Sequence, residues 1–414
     1  MILPIPLLVN FLVGLLSFAL LGIACGALYR AWRQYQRIMN ALLAKRRVLI
    51  QDQTPTVPVK ARPYVNFPRP SEVLSDKSVW VPLAVAVCLF LFTFIGREIV
   101  QLAFPTGKDE PRELHSQTVH YIQRPDGTKI RTEVFGPPDA PTLLFTHGWG
   151  TSNTEWYYAK RDLADRFRLI FWDLPGLGES TQPGNRNYAL EKMASDLDSV
   201  LTIAQGKPVV LVGHSIGGMI NLTFCRLFPD RLGHAVEGIV QMDTSYTNPV
   251  TTTKDASLNR ALQKPVGEPL LHAMIWFSPL VRTMNWLSYR NGTSHMMNAH
   301  SGFAGSETWG QLDLVSSYGY KSKPSVVARG TLAMFHWDAK PVLPHVNVPV
   351  LLIVGQQDTT TLPSASEFMQ HAMPEARLET VSPAAHYGLL EQNKRYDSAL
   401  AHFAAETLKG PKSK

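Results

Sequence analysis

The ten residues VVLVGHSIGG, numbers 209–218, constrain most narrowly what this chain can fold into. Four apolar residues run directly into a segment in which a serine stands between two glycines. The apolar run is typical of a strand buried on both faces. Glycines on either side allow a serine to occupy a sharp turn from a strand into a helix. The pattern therefore predicts that Ser215 is a nucleophile held at the end of a strand.

Short apolar runs that end in Gly, Asp or Ser recur from about residue 116, and longer amphipathic stretches separate them. The runs are TLLFTHG, RLIFWDLPG, PVVLVGHS, GIVQMDTS and VLLIVGQQD, with RLETVSPAAH as a weaker last one. The segment HYIQRPDGTKIRTEVFG before them reads as a β-hairpin that turns at residues 125–127. This alternation predicts an α/β fold with a mostly parallel central sheet flanked by helices. Ligands bind at the carboxyl ends of such strands.

A serine nucleophile needs a base, and the base needs a carboxylate to orient it. Asp358 directly follows the run LLIVGQQ, and His386 lies in the loop after the last run. The order serine, acid, histidine is one of the known chain orders of catalytic triads. Asp243, at the end of GIVQMD, is an alternative for the acid.

Charge that develops on a carbonyl oxygen during acyl transfer must meet preorganised donors. The N–H groups of Trp149, in the segment FTHGWG, and of Ile216, directly after Ser215, are the predicted oxyanion donors. We expect His147 to hold the loop by hydrogen bonds. The chain has three cysteines and no C-x-x-C pattern, and we predict neither a metal nor an organic cofactor.

The segments HGWG, DLPGLGES, GHSIGG, VGQQD and AAHYGLLEQ together resemble the α/β-hydrolase superfamily. The resemblance covers about residues 116–408. It is nearest to the branch of small esterases, monoacylglycerol-lipase-like hydrolases and carbon–carbon bond hydrolases. It implies that Asp173 forms a structural turn. Epoxide hydrolases and haloalkane dehalogenases of this superfamily use an aspartate as the nucleophile. This chain has Ser215 at that position, which argues against both classes. HGWG in place of HGGPG also weakens a proline iminopeptidase assignment.

The resemblance also implies a helical cap at about residues 246–342, where no clear strand is found. Within it, residues 269–289 are rich in large apolar side chains. Those that recur at helical spacing are Leu280, Val281, Met284 and Leu287. Their apolar face either packs on the main domain, or forms a pocket for an acyl chain or a surface that enters lipid.

Charge is distributed unevenly. Residues 1–29 contain no charged side chain, and the segment from Arg30 to Lys77 has ten basic residues against three acidic ones. The rest of the chain is balanced, so the net charge of +7 indicates no nucleic-acid partner. The apolar segments 1–29 and 79–97 predict two transmembrane helices joined by a basic, Pro-containing loop at 30–78.

The positive-inside rule then places that loop in the cytoplasm and the large domain on the periplasmic or another extracytoplasmic side. A cleaved signal peptide is the alternative for the first apolar segment. A buried core helix is the alternative for the second, and in that case the large domain is cytoplasmic.

The sequence therefore predicts a membrane-anchored serine hydrolase of carboxylic esters. The expected substrate is a small, lipophilic ester such as a monoacylglycerol. A carbon–carbon bond hydrolase, a thioesterase or a haloperoxidase could use the same triad. A membrane scaffold without catalysis is an alternative from another class. The basic loop itself could also bind anionic lipids or a protein partner.

Overall fold

The structure is a computed structural model that describes residues 4–51 and 70–408. The strands are β1 (Thr118–Gln123), β2 (Lys129–Phe135), β3 (Thr142–Thr146), β4 (Arg168–Trp172), β5 (Val209–His214), β6 (Val236–Met242), β7 (Val350–Gly355) and β8 (Ala376–Val381). The helices are α1 (Pro4–Gln51), α2 (Pro70–Leu74), α3 (Lys77–Gln101), α4 (Tyr157–Leu163), α5 (Leu190–Val200), α6 (Ile216–Leu227), α7 (Ala256–Leu262), α8 (Glu268–Trp276), α9 (Ser278–Arg290), α10 (Thr293–Gly302), α11 (Trp309–Lys321), α12 (Pro324–Met334), α13 (Pro363–Ala372), α14 (Gly388–Glu391) and α15 (Asn393–Thr407).

The eight strands form one sheet in the order β1-β2-β4-β3-β5-β6-β7-β8. The first two strands form the predicted hairpin and pair antiparallel, as do β2 and β4. The remaining neighbours pair in parallel. This confirms the predicted α/β fold with a mostly parallel sheet. Strands β3, β4, β5 and β7 are buried along their whole length, as expected for a sheet that helices cover on both faces.

Two hydrophobic clusters cover the sheet and fix its carboxyl edge. One cluster includes Leu144, Leu211 and Ile220, and the other includes Phe145, Val212 and Tyr396. Consecutive residues of β3 and of β5 fall into opposite clusters because side chains alternate along a strand. Both strands are thereby held rigidly, and the loops after them start from fixed positions.

Helices α7 to α12 lie between β6 and β7, within the segment predicted as a cap. Helix α9 contacts α8, α11 and α12, and also both N-terminal helices. The predicted apolar face of α9 divides in the structure, because Val281, Met284 and Leu287 are buried whereas Leu280 is 45% exposed. The buried side chains of α9 thus face the rest of the protein, and Leu280 faces away from it.

The N-terminal helices α1 and α3 pack side by side. Each is long and apolar enough to cross a membrane by length and composition, over Phe11–Lys45 in α1 and Lys77–Gln101 in α3. Only 22% of the apolar window of α3 is buried inside the protein, whereas the core helix of a soluble protein is mostly buried. These two helices therefore indicate a membrane by their length and composition alone.

The structure differs from the prediction for residues 30–78. Helix α1 continues through the basic segment to Gln51, and α2 and the start of α3 also lie within the predicted loop. Between residues 27 and 51 the chain has no Gly or Pro and is rich in Ala, Leu, Arg and Lys, which favour helix. The Pro-rich part of the predicted loop, residues 52–69, lies outside the described residues.

Candidate active site

Ser215 occupies the turn between β5 and α6 in a strained backbone conformation, with φ 54° and ψ −117°. Such a positive φ in a residue with a side chain costs roughly 1–3 kcal/mol and persists only where its surroundings enforce it. The N–H of Ser215 donates to the carbonyl oxygen of Met242 at 2.9 Å. A side chain at Gly217 would place its Cβ 2.2 Å from the main-chain oxygen of Thr146, so only glycine fits there. This is the turn that the sequence pattern predicted.

His386 and Asp358 come together at the same edge of the sheet. Nδ1 of His386 lies 2.9 Å from Oδ2 of Asp358, and both side chains are buried. The N–H groups of Thr360 and Thr361 donate to Oδ1 of Asp358 at 2.7 and 3.0 Å. The hydroxyl of Thr361 donates to Oδ2 at 2.6 Å. These donors fix the carboxylate, which can therefore hold the proton of His386 on Nδ1 and leave Nε2 as the basic atom.

Asp243, the alternative acid, makes different contacts. Its Oδ1 accepts from the N–H of Gly355 at 2.8 Å, and its Oδ2 accepts from the hydroxyl of Tyr396 at 2.9 Å. Burial raises the pKa of Asp243 well above its ordinary value, and the nearby charge of Asp358 raises it further. Of the two carboxyl groups, Asp358 is the one placed against His386.

The predicted oxyanion donors lie on the two segments that border Ser215. Ile216 is the first residue of α6, so its N–H has no acceptor within that helix. The loop that carries Trp149 is fixed by a hydrogen bond from the N–H of Gly148 to Oε1 of Glu155 at 2.7 Å. Nε1 of Trp149 donates to the carbonyl oxygen of Val327 in α12 at 2.9 Å. The side chain of Trp149 thus ties this loop to the cap.

A buried pair that the sequence analysis missed lies beside the turn. Nδ1 of His214 is 3.2 Å from Oε1 of Glu155, and Nε2 of His214 is 3.0 Å from the main-chain oxygen of His386. Burial opposes charge on His214, but the Glu155 carboxylate outweighs it and raises the pKa of His214. Burial also opposes the charge of Glu155, yet His214 lowers the pKa of that carboxyl group. Glu155 is the single charged residue between Gly148 and Lys160, which was the available signal.

His147 and Asp173 make the structural contacts expected of them. Nε2 of His147 accepts from the N–H of Leu174 at 3.0 Å. Oδ1 of Asp173 accepts from the main-chain N–H of Asn153 at 2.9 Å, and Oδ2 accepts from that of Glu179 at 3.0 Å. Both residues therefore join the loops after β3 and β4.

Two cavities lie between the cap and the main domain. One, of about 700 Å³, is lined by polar and charged residues that include Glu113, Asp173 and Lys321. The other, of about 180 Å³, is lined largely by residues of the cap and borders the catalytic loops at Trp149 and Tyr387. The second cavity therefore adjoins the segments that carry a predicted oxyanion donor and His386.

Comparisons with known proteins agree with this architecture. A family model described as alpha/beta hydrolase fold matches residues 141–392. A Bacillus subtilis (strain 168) protein assigned as a 2-succinyl-6-hydroxy-2,4-cyclohexadiene-1-carboxylate synthase is 25% identical over 287 residues, which cover 67% of this chain and 95% of that protein. The 3-oxoadipate enol-lactonase 2 of Acinetobacter baylyi (strain ATCC 33305 / BD413 / ADP1) is 23% identical over 272 residues, 64% of this chain and 89% of that protein.

Among solved structures, an esterase from Exiguobacterium antarcticum superposes with a TM-score of 0.56 at 22% identity. The match covers 70% of this chain and 99% of the esterase. At this identity the likeness concerns the fold. The matched family segment runs from β3 to α14 and includes the helices between β6 and β7, and the N-terminal helices precede it.

Proposed function

The chain belongs to the α/β-hydrolase family, and on that premise we propose that it is a serine hydrolase of carboxylic esters. The observation that carries the proposal is the 2.9 Å contact between His386 and Asp358, at the sheet edge where Ser215 stands on its strained turn. An esterase and an enol-lactonase among the proteins of similar fold or sequence support an ester as the substrate.

In the proposed mechanism, Oγ of Ser215 attacks the ester carbonyl while Nε2 of His386 takes its proton. Asp358 keeps the other ring proton on Nδ1 and stabilises the imidazolium that forms. The N–H groups of Trp149 and Ile216 stabilise the oxyanion. His386 then gives its proton to the departing alcohol. Water, deprotonated by His386, hydrolyses the acyl-enzyme and regenerates Ser215.

We further propose that the enzyme is anchored in a membrane by α1 and α3. Only 17% of the hydrophobic window of α1 and 22% of that of α3 are buried inside the protein, and apolar surface left in water is costly. Arg30, Arg33 and Arg37 follow the charge-free segment of α1 directly. Basic residues at the end of a span favour the cytoplasmic side. With two spans, the hydrolase domain lies on the extracytoplasmic side.

A lipophilic ester, with monoacylglycerol as the first candidate, fits this location. Trp286 is 40% exposed and shares a surface depression with Arg282, Tyr320 and Lys323. Tryptophan and tyrosine beside basic residues are typical of the boundary between lipid and water. Trp286 also packs against Phe94 of α3, with ring centroids 6.2 Å apart. This surface of the cap therefore continues the proposed membrane-facing surface of α3.

The direct test is hydrolysis of p-nitrophenyl butyrate by the full chain in detergent. We expect turnover by the wild-type protein and a loss of at least about a thousandfold in Ser215→Ala, as in other serine hydrolases that lack the nucleophile. Ser364→Ala, at an exposed serine of α13, is the matched control and should keep its activity. Thermal unfolding checks that each variant is folded. Equal turnover by Ser215→Ala and wild type would contradict the proposal, and hydrolysis of thioesters alone would favour the thioesterase alternative.

A further inference from the structure

Helix α1 contributes one residue to the lining of the cavity that borders the catalytic loops. Val13 of α1 stands in the wall of the 180 Å³ cavity, together with Leu271 and Met274 of α8. Trp149 and Tyr387 line the same cavity from the main domain. The side chains of Val13, Leu271 and Met274 form an apolar part of the wall, and the cap adds polar side chains to it from Asn285, Ser288 and Asn298. The cap and α1 therefore build a wall of mixed character that adjoins the loops of a proposed oxyanion donor and of the proposed base.

Close contacts hold this part of α1 in one position against the cap. A Cβ at Gly14 would lie 2.9 Å from Cε and 3.2 Å from Cβ of Met284, so the backbone of α1 approaches α9 closely. One turn further, Oγ of Ser17 accepts from Nδ2 of Asn291 at 2.8 Å. It also lies 3.3 Å from Oγ of Ser288. Small residues and buried polar contacts of this kind fix the register of helices packed in an apolar medium.

The opposite face of α1 is apolar and exposed. Leu12 and Leu16 are 53% and 57% exposed. At the neighbouring corner of the cap, between α8 and α9, Trp276 is 82% and Phe277 is 60% exposed. If the charge-free part of α1 lies in lipid, as proposed above, its outer face meets the bilayer while Val13 meets the cavity. Only the thickness of one helix then separates the cavity from lipid.

We propose that α1 and the cap together form the binding site for the apolar chain of the ester, and that Val13 determines how long a chain the site accepts. This rests on the proposed ester hydrolysis. The cavity of about 180 Å³ is smaller than the roughly 300–1,000 Å³ that encloses a whole drug-sized ligand. It therefore takes the part of an acyl chain beyond the carbonyl group, and longer chains extend along α1 toward lipid.

The test compares substitutions of two adjacent residues of α1, of which Val13 lines the cavity and Leu12 is 53% exposed. Val13→Trp fills the cavity, whereas Leu12→Trp adds the same side chain to the exposed face of α1. The values of kcat/KM for p-nitrophenyl butyrate and p-nitrophenyl decanoate are measured on the full chain in detergent. Because each methylene that a hydrophobic pocket no longer accepts changes kcat/KM by roughly tenfold or more, Val13→Trp should lower the decanoate-to-butyrate ratio at least tenfold. Leu12→Trp should leave the ratio unchanged.

An unchanged ratio in Val13→Trp, or an equal fall in Leu12→Trp, would overturn the proposal. Should Val13→Trp fail to fold, Val13→Ala decides, because it enlarges the cavity. The ratio should then shift toward the decanoate, and a constant ratio would refute the role of Val13. The wild-type rate on butyrate reports separately on the proposed function. If the wild-type protein hydrolyses neither ester, the proposed ester hydrolysis has failed, whereas turnover with an unaltered ratio rejects the chain-binding site alone.

Discussion

Nε2 of His214 lies 3.0 Å from the main-chain oxygen of His386, and this contact links the residue before the proposed nucleophile to the proposed base. Nδ1 of His214 faces Glu155. The Glu155 carboxylate raises the pKa of His214, although burial acts to lower it. With both ring nitrogens protonated, His214 donates to both acceptors. The buried pair thereby fixes the loop of His386 relative to the turn of Ser215.

The first prediction is that Glu155→Gln destabilises the protein by about 3–5 kcal/mol, the cost of leaving one member of a buried ion pair unpaired. The raised pKa of His214 gives stability that is complete below its ordinary pKa of 6.5 and is lost as pH rises through the raised value. The lowered pKa of Glu155 gives stability that is present above its ordinary value of 4.5 and is lost as pH falls through the lowered value.

The difference in stability between wild type and Glu155→Gln should therefore be largest between about pH 4.5 and 6.5, with both bounds set by these ordinary values. It should shrink at a pH above the raised pKa of His214. Thermal unfolding of both proteins in detergent across this range measures it. A difference that does not vary with pH would show that the pair is not ionised as described.

The second prediction distinguishes the two candidate acids by the same substitution. Asp358→Asn should lower kcat by about 10⁴-fold, the loss that this change causes in other serine triads, because the ring of His386 then adopts the wrong tautomer. Asp243→Asn should leave kcat close to that of the wild type, since Asp243 contacts Gly355 and Tyr396 instead. Ester hydrolysis measures both variants. A larger loss in Asp243→Asn than in Asp358→Asn would reverse the assignment.

A third prediction concerns the turn that presents Ser215. Gly217→Ala would place a Cβ 2.2 Å from the main-chain oxygen of Thr146, and the clash should cost about 1–3 kcal/mol of stability as well as activity. The matched control is Gly319→Ala in α11, where a Cβ meets no atom within 4 Å. There the better helix propensity of alanine should be neutral or stabilising. Equal thermal stability of the two variants would contradict the tight turn.

Features that arise from residues close together in the sequence could be predicted, whereas contacts between residues far apart in the sequence could not. The strand ends, the turn at Ser215 and the positions of Asp358 and His386 arise from local patterns. Buried parallel strands read as apolar runs, and the residues directly after such strands lie at one edge of the sheet. The sequence favours Asp358 over Asp243 although both residues come after a strand, and the contact of Asp358 with His386 supports that prediction.

Contacts between residues that are far apart in the sequence produce no local sequence pattern. Glu155 and His214 are 59 positions apart, and Ser17 and Ser288 are 271 apart. Ser17 lies in a segment that is apolar around the whole helix, so hydropathy alone does not distinguish its cap-facing side from its exposed side. The extension of α1 to Gln51 does not follow from the charge pattern, because basic residues beside a span are typical of a loop between spans although Arg and Lys also favour helix.

The fourth prediction concerns the side of the membrane. A membrane-impermeant fluorophosphonate should label the protein in intact cells or spheroplasts as strongly as in lysed membranes, because two spans leave the hydrolase domain outside the cytoplasm. Ser215→Ala should not be labelled in either sample. Labelling that appears only after lysis would keep the serine hydrolase but contradict the two-span orientation.

The central claim, that Ser215 carries the acyl group during turnover, is tested most directly by trapping the intermediate. The full chain is mixed with p-nitrophenyl butyrate, quenched in acid within the first turnovers, and digested for mass spectrometry. We expect a butyryl group on the peptide that contains Ser215, and no such group in Ser215→Ala. A butyryl group on a different residue during turnover, with Ser215 unmodified, would contradict the proposed role of Ser215.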